Sequence, residues 1–273
     1  MSGFLLKRGT QRYDFRMISS TQLIQRYEMK YRISTDLVPA VRKAIRPFCR
    51  PDTAGVDGVY RICSLYLDGP DRRLYRETKQ RVAHRFKLRI RRYQTGPYFL
   101  EVKGRSMDTV RKTRCAIEAE HWPHVLHNPA SIGAIHAAEH DPHAYQNFVN
   151  SCLVTLAEPS ALVRYEREAW VSLNDDYGRV TFDSKLVAAG PMGWTIPIDD
   201  EVDWYPTDAP RRFGFGQSGV VLELKCTTQL PYWMTDLVNR FDLRRCGFSK
   251  YANAVEVTQM GMNSPWSTTL GGR

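Results

Sequence analysis

Three pairs of the form Glu-x-Lys recur along this 273-residue chain: Glu28 with Lys30, Glu101 with Lys103, and Glu223 with Lys225. In an extended strand, side chains two positions apart leave the same face, so each pair sets a carboxylate beside an ammonium. The stretch RFKLRIRR, Arg85 to Arg92, adds a row of cations. Arg85, Lys87, Arg89 and Arg91 share one parity, and Phe86, Leu88 and Ile90 the other. Neighbouring cations in such a row lie about 6.7 Å apart, repelling by about 0.6 kcal/mol per pair in water and about 2.5 kcal/mol at an effective dielectric of 20. A bound polyanion relieves that repulsion. Lys and Arg on rigid strands suit phosphate oxygens, and carboxylates are the hard ligands that Mg2+ or Mn2+ prefer. One alternating strand or one Glu-x-Lys pair would read as a solvated surface; three pairs together with RFKLRIR point instead to a shared anion-binding face.

These residues need strands to carry them, and the alternation supplies them. QRYEMKYRI sends Arg26, Glu28, Lys30 and Arg32 one way and Tyr27, Met29, Tyr31 and Ile33 the other. YRICSLYLD, RFKLRIRR, YFLEVKGR, TVRKTRCAIE, ALVRYEREAWVSL, GRVTFD and SGVVLELKCT are the further strand candidates, with a turn at Asp175 to Gly178. Ser34 to Asp36 offers an N-cap for a short helix reaching about Phe48, with Pro39 in its first turn. DRRLYRET reads as a short helix. His121 to about Leu156 reads as one or two helices broken near Asn128 and Pro129, and PYWMTDLVNRFDL as an amphipathic helix. Residues 1–22 read as a flexible basic arm, 23–257 as one domain with a long loop from Ala188 to Gly219, and 258–273 as a frayed tail. The expected fold class is α+β, mainly antiparallel β. Its expected form is a closed eight-stranded-type tunnel barrel with a polar, basic interior and helices packed outside.

Bulk properties narrow the partners. The net charge of +10 predicts an anionic one. No apolar run approaches a membrane span, and the opening MSGFLLKRGTQRYDFRM has no apolar h-region, so a soluble chain without a secretory signal is expected. Cys49, Cys63, Cys115, Cys152, Cys226 and Cys246 are scattered, which fits reduced thiols in the cytoplasm. The basic strand has few interleaved aromatics, so nucleic acid is not expected. Six histidines between His121 and His143 lack metal-site spacing and read as a solvated helical face, and GFGQSG lacks the lysine of a phosphate loop.

RYEMKY, SLYLDGPD, RFKLRIRRY, FLEVKGR, VRKTR, LVRYEREAW, RVTFD, VLELK and FSKY occur in an order that resembles the VTC (vacuolar transporter chaperone) domain, a branch of the triphosphate tunnel metalloenzyme or CYTH-like superfamily. The resemblance spans roughly residues 23–256. It implies a tunnel that binds ATP, tripolyphosphate or inorganic polyphosphate. In the members that are enzymes, it further implies transfer of the ATP γ-phosphate to a growing chain with Mn2+ or Mg2+. The resemblance also implies roles for individual residues. Lys30, Arg89, Arg91, Lys103, Arg167 and Lys250 match catalytic positions. Arg26, Arg76, Lys87, Arg105, Arg111, Arg114, Tyr165, Arg179 and Lys225 are candidate substrate contacts, with the register at Arg76, Arg111, Lys112 and Arg114 open. Glu223, with Glu28 and Glu101, would hold the metal. Family members commonly work beside membrane partners, which this chain would have to recruit, giving a cytoplasmic protein peripheral to a membrane.

One departure matters. Hydrolytic tunnel enzymes open with E-x-E-x-K, whereas Arg26 makes this R-x-E-x-K. Exchanging a carboxylate for a cation removes a metal ligand and adds a phosphate partner. That favours a polyphosphate polymerase over a triphosphatase acting on ATP or tripolyphosphate, and leaves a non-catalytic polyphosphate or nucleotide sensor as the third reading.

Overall fold

A computed structural model describes residues 27–107, 109–127, 131–174, 178–197, 202–227 and 229–263. Among them ten strands follow in chain order: β1 (Tyr27–Ser34), β2 (Cys49–Pro51), β3 (Val59–Asp68), β4 (His84–Tyr93), β5 (Tyr98–Ser106), β6 (Thr109–Ile117), β7 (Glu158–Ser172), β8 (Arg179–Ala189), β9 (Tyr205–Pro206) and β10 (Gly219–Cys226). Eight form one antiparallel path in the order β1, β10, β8, β7, β3, β4, β5, β6, with β2 added to β7 and β9 to β8. The helices are α1 (Val38–Ile45), α2 (Arg73–Lys79), α3 (His124–His127), α4 (Ile132–His140), α5 (Pro142–Thr155), α6 (Pro210–Phe213), α7 (Tyr232–Arg240) and α8 (Lys250–Asn263). The class is α+β, mainly antiparallel β.

The period-two pattern decides which face each strand buries. On the convex side, Leu65, Leu67, Leu88, Ile90, Leu100 and Cys115 pack against Val125, Ala137 and Phe148 of α3 to α5. On the other wing, Tyr31, Ile33, Leu222, Leu224 and Phe182 pack against Val41 and Ile45 of α1 and Met234 and Leu237 of α7. Each fully buried Leu or Ile here contributes about 1.5–3 kcal/mol. A third cluster lies on the concave side, where Ile62, Tyr66, Val163, Tyr165 and Val221 meet Phe213 of α6, Phe248, and Tyr251, Ala254 and Val255 of α8. These two helices plug one end of the concavity. A bulge helps: the β7–β8 register shifts between Arg164 and Glu166, and Lys185 takes a positive φ of 51°. The extra residue flips parity, so Leu186 and Ala188 join the concave cluster that Asp183 borders.

The sheet curls but does not close. Lys103 Nζ of β5 lies 2.9 Å from Glu28 Oε2 of β1, so strands far apart in the sheet order face each other. No backbone pairing joins β6 to β1 among the described residues, which corrects the expected closed barrel. The physical reason sits on the free edge of β1. Cys246 N donates to Lys30 O at 2.8 Å, and Arg245 bridges to Tyr31, so an incoming segment already uses these edge groups. The contact between β5 and β1 is made by side chains, not by a ladder.

Other boundaries also move. Among the described residues between 121 and 156 there are three helices rather than one or two. The break at Asn128 and Pro129 includes positions outside the described residues, but a second break lies at Asp141, whose carboxylate caps α5 by accepting from Ala144 N at 2.9 Å, with Pro142 at the helix start. Within the long loop, Trp194, Ile196 and Trp204 pack on the convex core, Trp122 Nε1 donates to Trp194 O, and Phe213 of α6 and Phe215 reach the concave cluster. The helix α8 runs to Asn263, beyond the expected start of a frayed tail at 258, because Ala254, Val255, Val257 and Thr258 are buried. The basic arm, Arg26, most of the Asp175–Gly178 turn and residues 264–273 lie outside the described residues. No described helix is long and apolar enough to cross a membrane.

Candidate functional site

Strand register stacks the concave side chains in rungs. Arg85 of β4 opposes Arg105 of β5; next, Lys87 opposes Lys103, which opposes Lys112 of β6; then Arg89 opposes Glu101, which opposes Arg114; Arg91 opposes Phe99. Like charges directly opposed across strands are destabilising, so the carboxylates that interrupt them matter. Glu101, fully buried, binds Arg89 at 2.6 Å, Lys112 at 2.8 Å and Arg114 at 3.4 Å, with Arg91 at 3.8 Å. Burial opposes its ionisation, but Arg89, Arg91 and Lys112 hold the carboxyl well below the usual range. Arg89 also donates to Tyr66 Oη at 3.1 Å, and the Arg114 guanidinium sits 3.5 Å from the Phe99 ring centroid.

The facing wall has the same logic. Glu223 of β10 meets Lys30 at 3.2 Å, Lys225 at 2.8 Å, Lys250 at 3.5 Å and Arg167 at 3.6 Å. Buried Asp183 of β8 takes a bidentate fork from Arg167 at 2.7 and 2.8 Å and the Lys250 ammonium at 2.5 Å. Lys250 also lies 4.8 Å from the Tyr165 ring centroid. Glu28 binds Lys30 at 3.1 Å and Lys103 at 2.9 Å across the seam. For Glu223 and Asp183, burial again works against the charge and the surrounding cations overcome it. Lys87 is different: no carboxylate pairs with it among the described residues. Burial, followed by repulsion from Lys30, Lys103, Arg85 and Arg89, pushes its ammonium down to about 7.

The structure therefore gathers Lys30, Lys87, Arg89, Arg91, Lys103, Arg114, Tyr165, Arg167, Lys225 and Lys250 around one concavity. Arg105 and Arg179 stand at its exposed margins, with Arg179 3.9 Å from Asp52 and Arg105 donating to Met107 O. Two candidates lie elsewhere. Arg76 is on the exposed surface of α2, bonded to Asp71. Arg111 opposes Gly104, on the parity of Val102 and Cys115, and so points to the convex side. Arg111 and Arg114 are three apart, and a strand cannot put both on one face; Lys112 takes the inner position. Sequence reasoning also left out Asp183, although it shares parity with Arg179 in RVTFD.

Glu28 and Glu223 are joined through Lys30, while Glu101 shares no ion-pair partner with them. No three His, Cys, Asp or Glu side chains cluster as a metal site among the described residues. The carboxylates that could contribute to a divalent cation are Glu223 with Glu28, joined through Lys30, or with Asp183, joined through Arg167 and Lys250, with other ligands coming from phosphate and water.

A family model for the VTC domain matches residues 25–259. The chain belongs to the VTC domain family. Comparison with curated proteins returns no match. Among solved structures, this VTC domain is similar to a protein from Vibrio parahaemolyticus provisionally named an adenylate cyclase, at 16% identity and a TM-score of 0.44, covering 85% of this chain and 98% of that one. It is also similar to the PH1819 protein of Pyrococcus horikoshii OT3, at 9% identity and a TM-score of 0.43, covering 87% and 99%. Likenesses that remote carry no argument about the site, which rests on the VTC match and the geometry above.

Proposed function

We propose that this VTC domain is a metal-dependent polyphosphate polymerase that transfers the γ-phosphoryl group of ATP to the end of an inorganic polyphosphate chain. The observation that carries this is the excess of cations over carboxylates on the concave face, with Lys87 lacking any acidic partner among the described residues. Phosphate oxygens would take over contacts that Glu28, Glu101, Asp183 and Glu223 now share among several cations. In the transfer, a terminal polyphosphate oxygen attacks the γ-phosphorus in line, the bond to the β-phosphate oxygen breaks, and ADP leaves. Little covalent chemistry is asked of the protein; Arg89, Arg91, Arg167 and Lys250 would orient the chain and offset charge on the transferring group. Mn2+ or Mg2+ on Glu28 and Glu223 would add Lewis-acid stabilisation of that charge. Omitting the metal should abolish turnover of ATP in the presence of a short polyphosphate primer. Turnover that persists in chelator would remove the metal from the account.

A second reading has its own support. No backbone pairing joins β1 to β6 among the described residues, which would give water a route that a closed barrel would deny. Hydrolysis of ATP or tripolyphosphate would follow, releasing free phosphate and leaving the primer unextended. A site that binds these anions without turning them over would be the sensor. Membrane association would fall to a partner recruited through the basic surface.

Beside Lys112, which burial also pushes down to about 7, Lys87 makes anion binding pH-dependent. Its ammonium titrates near 7 when folded and near 10.5 in the reference state. Charge available to an anion therefore falls as pH rises through neutrality, and tripolyphosphate affinity should drop about tenfold between about pH 6 and pH 8.5, the loss of one charge-assisted contact. In the ligand-free protein the stability effect has the opposite sign. Below about 7 the lysine is charged in both states and the fold bears the full penalty; between about 7 and 10.5 only the unfolded chain holds the proton, so stability rises with pH. Calorimetric titration of the wild type beside Lys87→Gln separates this from the ligand's own protonation. Identical pH profiles for the two proteins would contradict it.

A further inference from the structure

Ser64 Oγ and Arg91 Nε, both buried on the concave face, have no hydrogen-bond partner among the described residues, although Arg91 Nε lies 3.8 Å from Glu101 Oε2. Their residues are only 1% and 6% exposed, and they are directly opposed across the β3–β4 ladder. Direct opposition brings Cβ atoms to about 4.5–5.5 Å, yet neither atom bonds the other. Natural folds keep few buried hydroxyls unpaired, and each one that persists asks for an explanation. Ser64 shares strand parity with Ile62 and Tyr66, which belong to the concave cluster, so it faces inward beside the α8 plug. Its other cross-strand neighbour is Val163, which offers no side-chain acceptor.

A second unpaired hydroxyl on this face makes the contrast. Thr181 opposes Glu223, a carboxylate within a neighbouring strand. Ser64 is opposed only by a cation and an alkyl group. Two adjacent donors, one with no acceptor and the other with only the long Glu101 contact, are complementary to an oxygen that carries negative charge.

We propose that Ser64 is a ligand-binding residue: its hydroxyl, together with Arg91, holds one phosphate oxygen of the chain at the plugged end of the concavity. This rests on the phosphate-binding reading above. It assigns to a neutral side chain a contact that charge patterning alone would give to Lys and Arg.

The test pairs calorimetric binding of inorganic tripolyphosphate with thermal unfolding of the ligand-free protein, both on the full chain. Ser64→Ala should weaken binding about tenfold or more, the worth of a hydrogen bond to a charged group. The same substitution should leave the ligand-free Tm unchanged or higher, because the hydroxyl it removes has no partner to lose. Unchanged affinity would overturn the proposal, and a lowered Tm alongside it would assign the hydroxyl a purely structural bond. If affinity and Tm both fall, Ser64→Cys decides. Stability regained with affinity still weak supports the contact, and recovery of both together overturns it. A wild-type protein that fails to bind tripolyphosphate fails the phosphate reading itself, and the Ser64 role with it, before any variant is compared.

Discussion

Lys103→Ala should lower turnover of ATP by about 100- to 1,000-fold, the usual cost of removing one electrostatic contact to a transferring group, while leaving the protein folded. The reasons are local. Lys103 stands in the middle of the Lys87, Lys103, Lys112 rung and crosses the seam to Glu28. Its side chain is 35% exposed, and Glu28 keeps Lys30 at 3.1 Å when Lys103 is gone. A partly solvated pair of this kind contributes at most about 1 kcal/mol to stability. The expected pattern is therefore a collapse of kcat/KM with a Tm shift of a few degrees at most, about what 1 kcal/mol produces in a domain of this size. A folded variant with unaltered kcat/KM would remove Lys103 from the site. A variant that does not fold would instead make the Glu28 bridge across the seam structural.

Glu101→Gln should have the largest effect on stability. The carboxylate is fully buried and sits among Arg89, Arg91, Lys112 and Arg114. Glutamine preserves shape but removes the charge. Lys112 and Arg114 reach solvent and can be hydrated, but Arg89 and Arg91 cannot escape each other. Leaving buried charge uncompensated costs about 3–5 kcal/mol, measurable as a fall in the urea midpoint with an unchanged m-value. The pH sign follows from the direction of the shift. The Glu101 carboxyl titrates well below 4.5 when folded, so its contribution is fully present above about 4.5 and lost only as pH falls through the lower folded value. The gap between wild type and variant should close in acid. Tripolyphosphate should narrow it at neutral pH by supplying the missing negative charge. A gap under about 1 kcal/mol, the level of an exposed pair, would mean that the four cations do not depend on Glu101.

Much of this was legible in the sequence because strand parity is a local property. RFKLRIRR, FLEVKGR and VLELK each fix which side chains share a face, and the apolar parity of each strand is found in a core cluster. What parity cannot give is the pairing of strands far apart in the chain. The open seam depends on Cys246 N meeting Lys30 O, a contact no local pattern announces. Asp183 was readable in principle, since it alternates with Arg179 and Thr181, but its role needs Arg167 and Lys250 brought in from β7 and α8. The helix α8 was hidden because its apolar residues serve an interior plug and show no outer polar stripe of the usual kind. Arg76 was misplaced for a simpler reason: on a short exposed helix, an arginine finds its own acid, Asp71, five residues away. Ser64 is neutral, so the charge pattern of its strand does not mark it.

The claim at the centre of this account is that the concave cations hold a phosphate chain in place to accept a phosphoryl group from ATP. The most direct test follows the γ-phosphate. The protein would be incubated with γ-labelled ATP, Mn2+ and a short polyphosphate primer, and the products separated by chain length. The account predicts label in chains longer than the primer. Label appearing only as free phosphate, or remaining in ATP, would contradict it.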